Sequence, residues 1–203
     1  MKMIPKISDA PKKIISEQTG FLMGSVLVAT PELKGSVFEK TVIYITAHGA
    51  EGAMGFVLNR PMAEMRFEQI LAQVGLALAV KEPMSQPVLW GGPVDPVRGF
   101  VVHSLEVETK DTIVLQEGIG LSATLDIMRL FHEGMKPIQS FFALGYAGWS
   151  AGQLEQELSE NSWLVVEASA DLIFGQDYKT KWQRALGVLG IDPAYLSTYQ
   201  GLA

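Results

Sequence analysis

The sequence predicts an α+β fold built as one domain. Strand-like segments come first in runs and then mix with helices, without the regular βαβ alternation of a doubly wound sheet. Apolar residues make up 48% of the 203-residue chain, so the protein can bury a substantial core. This length fits one domain better than two. We expect residues 20–203 to form that domain and residues 1–19, which lack a sustained period, to form an N-terminal arm.

Strands are predicted where β-branched and aromatic residues run between glycine and proline punctuation. The first three are expected to be sequential antiparallel strands, and the next three to form a second sheet segment or extend the first. An apolar, aromatic segment and a last strand follow further along the chain. The predicted segments are residues 25–29, 41–46, 55–58, 87–90, 99–104, 111–115, 138–146 and 163–168.

Helices are predicted from apolar residues spaced three and four apart. Phe67, Ile70, Leu71 and Val74 show this period, and Gly75 supplies a C-terminal stop. The second helix carries residues spaced from 121 to 132 and ends at a glycine. A third is predicted from residue 150 to about residue 158, and a fourth carries the apolar positions between residues 178 and 189.

The segment GWSAG, residues 148–152, matches the G-x-S-x-G of a serine-hydrolase nucleophile elbow. An α/β-hydrolase needs a histidine after the serine, and none follows Ser150. A chymotrypsin-like order could be drawn as His103, Asp126 and Ser150, but nothing in the sequence shows that these residues meet. We therefore disfavour a serine hydrolase and predict no catalytic residue.

A capping box explains the GWSAG letters better than a nucleophile does. With Ser150 as N-cap, Gln153 occupies position N3, and Trp149 and Leu154 supply the hydrophobic staple. The segment is therefore predicted to mark the start of a helix.

Composition limits the possible partners and the compartment. A net charge of −6 and the absence of a basic patch argue against direct nucleic-acid binding. The chain has no cysteine, which excludes disulfides and thiolate chemistry and fits a reducing cytoplasm. The longest apolar stretch, residues 70–80, is about half of what a membrane span needs. Because Pro5 and Pro11 interrupt the lysine-containing N-terminus, no signal peptide is predicted.

Candidate ligand-binding residues lie at strand ends and in glycine turns. Asn59 and Arg60 close an apolar strand, and a guanidinium there can bind a carboxylate or phosphate. The alternative is that Arg60 bridges loop carbonyls or an acid such as Asp95 or Glu39. Gly91 and Gly92 allow close approach by a ligand, although a tight turn explains them better. The segment with Gly145, Tyr146 and Gly148 leads into the predicted helix, whose N-terminus could hold an anion.

The remaining polar residues predict structure. His103 in its strand is expected to be hydrogen-bonded, and His48 beside a glycine is expected to be a solvated turn residue. Glu155 and Glu157 are interpreted as solvated surface. No histidine or carboxylate spacing indicates a metal site, and no cofactor is predicted.

Several sequence blocks together resemble the YqgE/AlgH family of bacterial proteins. The blocks are WGGPV at 90–94, GFVVHS at 99–104, ALGYAGW at 143–149, GQLE at 152–155, GFVLNRP at 55–61 and NSWL at 161–164. The resemblance runs from about residue 20 to residue 191. It implies a bifurcated, mainly antiparallel sheet, partly curled into a small barrel and surrounded by helices.

The resemblance implies no established catalytic activity. Part of the family carries the label of a transcriptional regulator of alginate production, but this chain has no recognisable helix-turn-helix or basic face. We therefore expect a cytoplasmic, non-catalytic binding or regulatory protein whose partner is another protein or a small anionic ligand. The alternative is a small-molecule or phosphate-binding enzyme with a site near Asn59, Arg60 and residues 145–149.

Overall fold

The computed structural model describes residues 22–76, 87–116, 118–123 and 125–196. These residues divide into two compact units: residues 61–147 form the first, and residues 22–60 with 148–196 form the second. The N-terminal arm predicted for residues 1–19 lies outside the described residues. The single domain expected over residues 20–203 stays a prediction.

Ten strands and six α-helices are found among the described residues. The strands are β1 (Ser25–Ala29), β2 (Val42–Gly49), β3 (Gly52–Val57), β4 (Pro61–Arg66), β5 (Pro87–Trp90), β6 (Val94–Ser104), β7 (Ile113–Gln116), β8 (Ile119–Ser122), β9 (Ser140–Ser150) and β10 (Trp163–Glu167). The helices are α1 (Phe67–Gln73), α2 (Leu125–His132), α3 (Gln153–Ser159), α4 (Ala170–Phe174), α5 (Lys181–Val188) and α6 (Pro193–Leu196). A short 3-10 helix covers Pro31–Leu33.

The second unit is built on the antiparallel strands β10, β1, β2 and β3, in that order. Val26 of β1 lies opposite Val166 on one side and Tyr44 on the other. The apolar residues of β1 and β2 are buried without alternation, which is typical of strands covered on both faces. Helix α5 contacts β1 and β2 and supplies part of this cover.

The first unit places β9 between β5, which is parallel to it, and β6, which is antiparallel. Beyond β6 follow β8 and β7, and β4 pairs with β5 off this path, so the sheet branches. Helices α1 and α2 cover a core in which the Phe67 ring lies 5.2 Å from Phe131 and 5.1 Å from Phe142, centroid to centroid. The predicted α+β class with a branched, mainly antiparallel sheet is confirmed.

Three helices begin later than predicted. The fourth predicted helix starts at Lys181, because residues 178–180 form a turn. The second helix begins at Leu125, because residues 119–122 form strand β8. The third begins at Gln153, with Gly152 as N-cap in the left-handed conformation (φ 74°), so the prediction that Ser150 is the N-cap is wrong. Ser150 instead ends strand β9.

Candidate functional site

A groove in the second unit contains two of the predicted site residues, Asn59 and Arg60. Its volume is about 620 Å³, and all of its lining residues belong to that unit. We call it the cationic groove because its charged side chains include three cations and one acid. It is lined by Ser36, Glu39, Lys40, Asn59, Arg60, Tyr178, Lys179, Trp182 and Gln183.

Asn59 and Arg60 hold the loop that precedes β2. The Asn59 amide donates from Nδ2 to the Lys40 carbonyl (2.8 Å) and accepts at Oδ1 from the Val42 N–H (3.0 Å). Arg60 Nη2 donates to the Glu39 carbonyl (2.6 Å). Arg60 therefore bridges a loop carbonyl, as the alternative interpretation proposed, and this bond uses one of its five N–H donors.

Residues 39–41, which we call the clamped loop because Asn59 and Arg60 bond to its carbonyls, place Lys40 over the ring of Trp182. Lys40 has a left-handed backbone (φ 53°), which is uncommon for a residue other than glycine. Its Nζ atom lies 5.8 Å from the Trp182 ring centroid, within the range of a cation–π contact. Trp182 is itself fixed, because its indole Nε1 donates to the Ala29 carbonyl (2.8 Å).

The electrostatics of the groove favour an anion. Lys40, Arg60 and Lys179 are exposed cations, although the chain as a whole carries a net charge of −6. The only acid in the lining, Glu39, accepts the Gly35 backbone N–H at Oε2 (2.9 Å). Its carboxylate is therefore engaged within its own loop.

A second pocket of about 450 Å³ adjoins the groove and shares Glu39, Lys40, Trp182 and Gln183 with it. Its other lining residues are Thr30, Pro31, Lys34, Pro193, Ala194 and Leu196. We call it the adjoining pocket. Trp182 and Lys40 thus belong to the walls of both cavities.

Three of the glycine candidates, Gly91, Gly92 and Gly145, belong to the first unit, where backbone packs against backbone. Gly91 donates its N–H to the Leu144 carbonyl (2.8 Å), and a Cβ atom added to Gly91 would lie 2.2 Å from the Gly145 carbonyl oxygen. A Cβ on Gly92 would lie 2.2 Å from the Tyr146 carbonyl carbon. The close approach that these glycines allow is therefore made by the chain itself. A ligand role for them stays a prediction.

Tyr146 and Gly148, the last two candidates, lie on β9. The Tyr146 ring is half-buried and meets Phe100 edge to face at 5.9 Å. Burial raises the pKa of Tyr146, and the nearby negative charge of Asp95 raises it further. Gly148 is exposed and lies in the second unit, although it does not line the cationic groove.

Ser150 is held by its neighbour in the sequence. Its backbone N–H and its hydroxyl both donate to Gln153 Oε1, at 3.0 and 3.1 Å. One bond of the predicted capping box is thus present, from the Ser150 N–H to the Gln153 side chain. The other, from the Gln153 backbone N–H to the Ser150 hydroxyl, is not formed. The other two residues of the chymotrypsin-like order bond to different partners: Asp126 pairs with Arg129 at 2.8 Å, and His103 bonds to Ser122.

His103 is fully buried and belongs to a chain of hydroxyl groups. Because Nδ1 lies 3.0 Å from the Ser104 carbonyl, it must be the donor, and Nε2 accepts from the Ser122 hydroxyl (2.9 Å). Ser122 in turn bonds to Thr112 at 2.9 Å. Burial lowers the pKa of His103. These contacts agree with the predicted structural role of this histidine.

Side-chain hydrogen bonds that were not predicted from the sequence are made by His48, Glu155 and Glu157. His48 is buried in β2, and its Nε2 lies 2.7 Å from Glu155 Oε1, so the prediction of a solvated turn residue is wrong. Glu157 accepts the indole N–H groups of Trp149 (2.8 Å) and Trp163 (2.7 Å) at one oxygen. Glu155 is exposed, as predicted, although it bonds to His48, whereas the prediction that Glu157 is solvated surface is wrong.

Nothing in the local sequence indicates that Lys181 is buried. Its side chain is fully buried, and Nζ donates to the carbonyls of Leu172 and Gly175, both at 2.7 Å. These carbonyls lie at the C-terminal end of α4, where a cation is favoured. Burial lowers the pKa of Lys181 to about 8. Lys181 stands at the start of α5 directly after Lys179 and Thr180, a position typical of a surface lysine.

The fold and the groove define an α+β protein with a cationic, aromatic-lined cavity and no metal-binding cluster of three or more His, Asp or Glu among the described residues. Residues 26–194 match the family described as AlgH-like (DUF179). The chain belongs to this family of bacterial proteins.

Relatives and solved structures agree with this assignment. A UPF0301 protein of Rhodopseudomonas palustris is 45% identical over 92% of this chain and 89% of its own length. One of Beijerinckia indica is 45% identical over 93% of this chain and 96% of its own. The AlgH protein of Pseudomonas aeruginosa has a TM-score of 0.72 and 32% identity, covering 92% of this chain and 98% of its own. A Corynebacterium diphtheriae protein with 19% identity and a TM-score of 0.69 shares the fold.

Proposed function

We propose that this protein is a non-catalytic binding protein that recognises a small anion in the cationic groove. The observation that carries the proposal is the grouping of Lys40, Arg60 and Lys179 in one cavity of an acidic chain. A guanidinium and ammonium groups bind phosphate and carboxylate oxygens through charge-assisted hydrogen bonds. A local excess of positive charge also attracts an anionic ligand to the cavity.

The clamped loop supports binding because it fixes one wall of the groove before a ligand arrives. Asn59 and Arg60 hold consecutive carbonyls, those of Lys40 and Glu39. A preformed wall reduces the entropy that binding must remove. The enzyme alternative placed residues 145–149 beside Asn59 and Arg60, whereas residues 145–149 do not line the groove. The proposal therefore places the ligand at Asn59, Arg60 and the other residues that line the groove.

The compartment and the partner class are parts of this proposal. A cysteine-free chain is suited to the reducing cytoplasm, and the cited relatives are bacterial. None of the described helices is long and apolar enough to cross a membrane. A regulatory role would follow if occupancy of the groove changed how the protein contacts another protein. Direct DNA binding is not proposed, because the net charge is −6.

Isothermal titration calorimetry with pyrophosphate tests the proposal. We expect saturable binding that weakens as salt is added, since exposed charges are screened. Lys179→Gln should weaken binding about tenfold, because one charge-assisted contact is lost. Lys136→Gln is the matched control, since Lys136 is an exposed lysine that does not line the groove. Absence of binding at low salt, or an equal loss in both variants, would refute the proposal.

A further inference from the structure

We infer that the ligand of the cationic groove is an aromatic phosphate of the nucleoside monophosphate class. Its ring would stack on Trp182, and its phosphate would be held by Arg60 and Lys179. This inference rests on the proposed function and adds the chemical class of the ligand. Its basis is that the cations and two aromatic side chains, Tyr178 and Trp182, line the same cavity.

Trp182 is placed as a stacking platform. Its indole N–H is bonded to the Ala29 carbonyl (2.8 Å), which fixes the ring plane, and the side chain is only half-buried. The ring therefore keeps exposed surface in a cavity wall instead of filling the core. A fixed, partly exposed indole offers a flat apolar face at little entropic cost, and stacking on such a face is favourable for every nucleobase.

Lys40 connects the aromatic part of the site with the anionic part. Its ammonium lies 5.8 Å from the Trp182 centroid, so it covers one face of the indole. A phosphate in the groove attracts this ammonium more strongly than an aromatic ring does, since the phosphate carries a formal charge. We expect Lys40 to turn from the ring to the phosphate when the ligand binds, which frees the ring face for the base.

The backbone of Lys40 allows this movement to stay within the side chain. Its left-handed conformation (φ 53°) is held by the bond from Asn59 Nδ2 to its carbonyl. Strain of this kind persists only where surrounding contacts hold it, and it is concentrated at functional sites. The loop therefore stays in place while the ammonium changes its partner.

The size and lining of the two cavities fit such a ligand. Volumes of about 620 and 450 Å³ lie in the range of small-molecule sites. Trp182 belongs to both, so a ring stacked on it can extend towards Pro31 and Pro193 of the adjoining pocket. The amide of Gln183 lines both cavities and can donate to or accept from a base edge.

Calorimetric titrations with ribose 5-phosphate and adenosine 5′-monophosphate, alongside pyrophosphate, test the inference. We expect the nucleotide to bind at least about fivefold tighter than ribose 5-phosphate, because only the nucleotide can stack. Trp182→Leu should remove this difference and leave the affinity for ribose 5-phosphate nearly unchanged. In Lys40→Gln, both affinities should fall by about the same factor, because Lys40 turns to the phosphate of either ligand, and the preference for the nucleotide should remain.

Tryptophan fluorescence supplies a second measurement that does not depend on the stability of the leucine variant. The nucleotide should quench emission of the native protein, and this quenching should be lost in Trp182→Phe, which keeps the other three of the four tryptophans. Equal affinities for nucleotide and ribose 5-phosphate would overturn the inference and leave the anion site intact. A nucleotide preference that survives in Trp182→Leu would also overturn it. Failure of all three ligands to bind would refute the proposed function as well.

Discussion

Replacing Glu157 by alanine should destabilise the protein far more than its position on a short polar helix suggests. The carboxylate accepts from Trp149 Nε1 at 2.8 Å and from Trp163 Nε1 at 2.7 Å. Both indoles are buried, with 7% and 3% of their surface exposed. The alanine variant would leave two buried N–H donors without this acceptor.

The magnitude follows from the cost of unsatisfied donors. Each buried donor that loses its acceptor costs about 1–3 kcal/mol. Glu157 is itself half-buried, so water can reach part of the site and the lower half of the range applies. We therefore expect Glu157→Ala to cost about 2–4 kcal/mol. Glu157→Gln keeps a carbonyl acceptor but loses the charge, and should cost about 1–2 kcal/mol.

Urea denaturation followed by circular dichroism gives the free energy of unfolding for each variant. Glu160→Ala is the control, because Glu160 is exposed on the same segment and bonds to the side chain of Gln156. It should change stability by less than about 0.5 kcal/mol. In a Trp163→Phe background, Glu157→Ala should cost about half as much, since one donor is already gone. A cost below about 1 kcal/mol in the native background would show that water satisfies the indoles and would refute this reasoning.

Of three further predictions, two concern the first unit and one concerns the second. Burial lowers the pKa of His103, so the folded state favours its neutral form. Stability should therefore fall as the pH is lowered through about 6.5, because the unfolded chain binds the proton first. This loss of stability, measured as the change in urea midpoint between about pH 7 and about pH 5, should be smaller in His103→Gln. Gly91→Ala should cost several kcal/mol or prevent folding, because its Cβ would lie 2.2 Å from the Gly145 oxygen. Gly187→Ala, in α5 with open space around it, should instead raise the melting temperature.

Local sequence patterns predicted those elements whose packing follows from one apolar stripe. The helix starting at Phe67 was predicted from its apolar spacing and is found at Phe67–Gln73. Strand β4, Pro61–Arg66, was missed because its side chains are mostly exposed and it depends on pairing with β5. Leu121 of strand β8 was assigned to the next helix, since an apolar residue four positions before a helix continues its apparent period.

The polar contacts of the second unit could be predicted only in part, because most of them join distant segments. His48 and Glu155 are separated by 107 positions, so neither could be recognised from its own surroundings. Lys179 and Trp182 were missed as groove residues for the same reason, since their relation to Lys40 exists only in the folded unit. The Ser150–Gln153 contact was predicted in part, because both residues lie within one turn.

Asn59 and Arg60 could be identified from the sequence because their role is local to a strand end. Both side chains bind the backbone of residues 39–42, so their polar groups position the loop. Arg60 also keeps donors that can reach a ligand, whereas Lys40 is carried by that loop and Lys179 and Trp182 by the segment 178–183. Residues at a strand end can thus be identified from a motif even where the site residues on other segments cannot, and a substitution such as Asn59→Ala should weaken pyrophosphate binding by releasing Lys40.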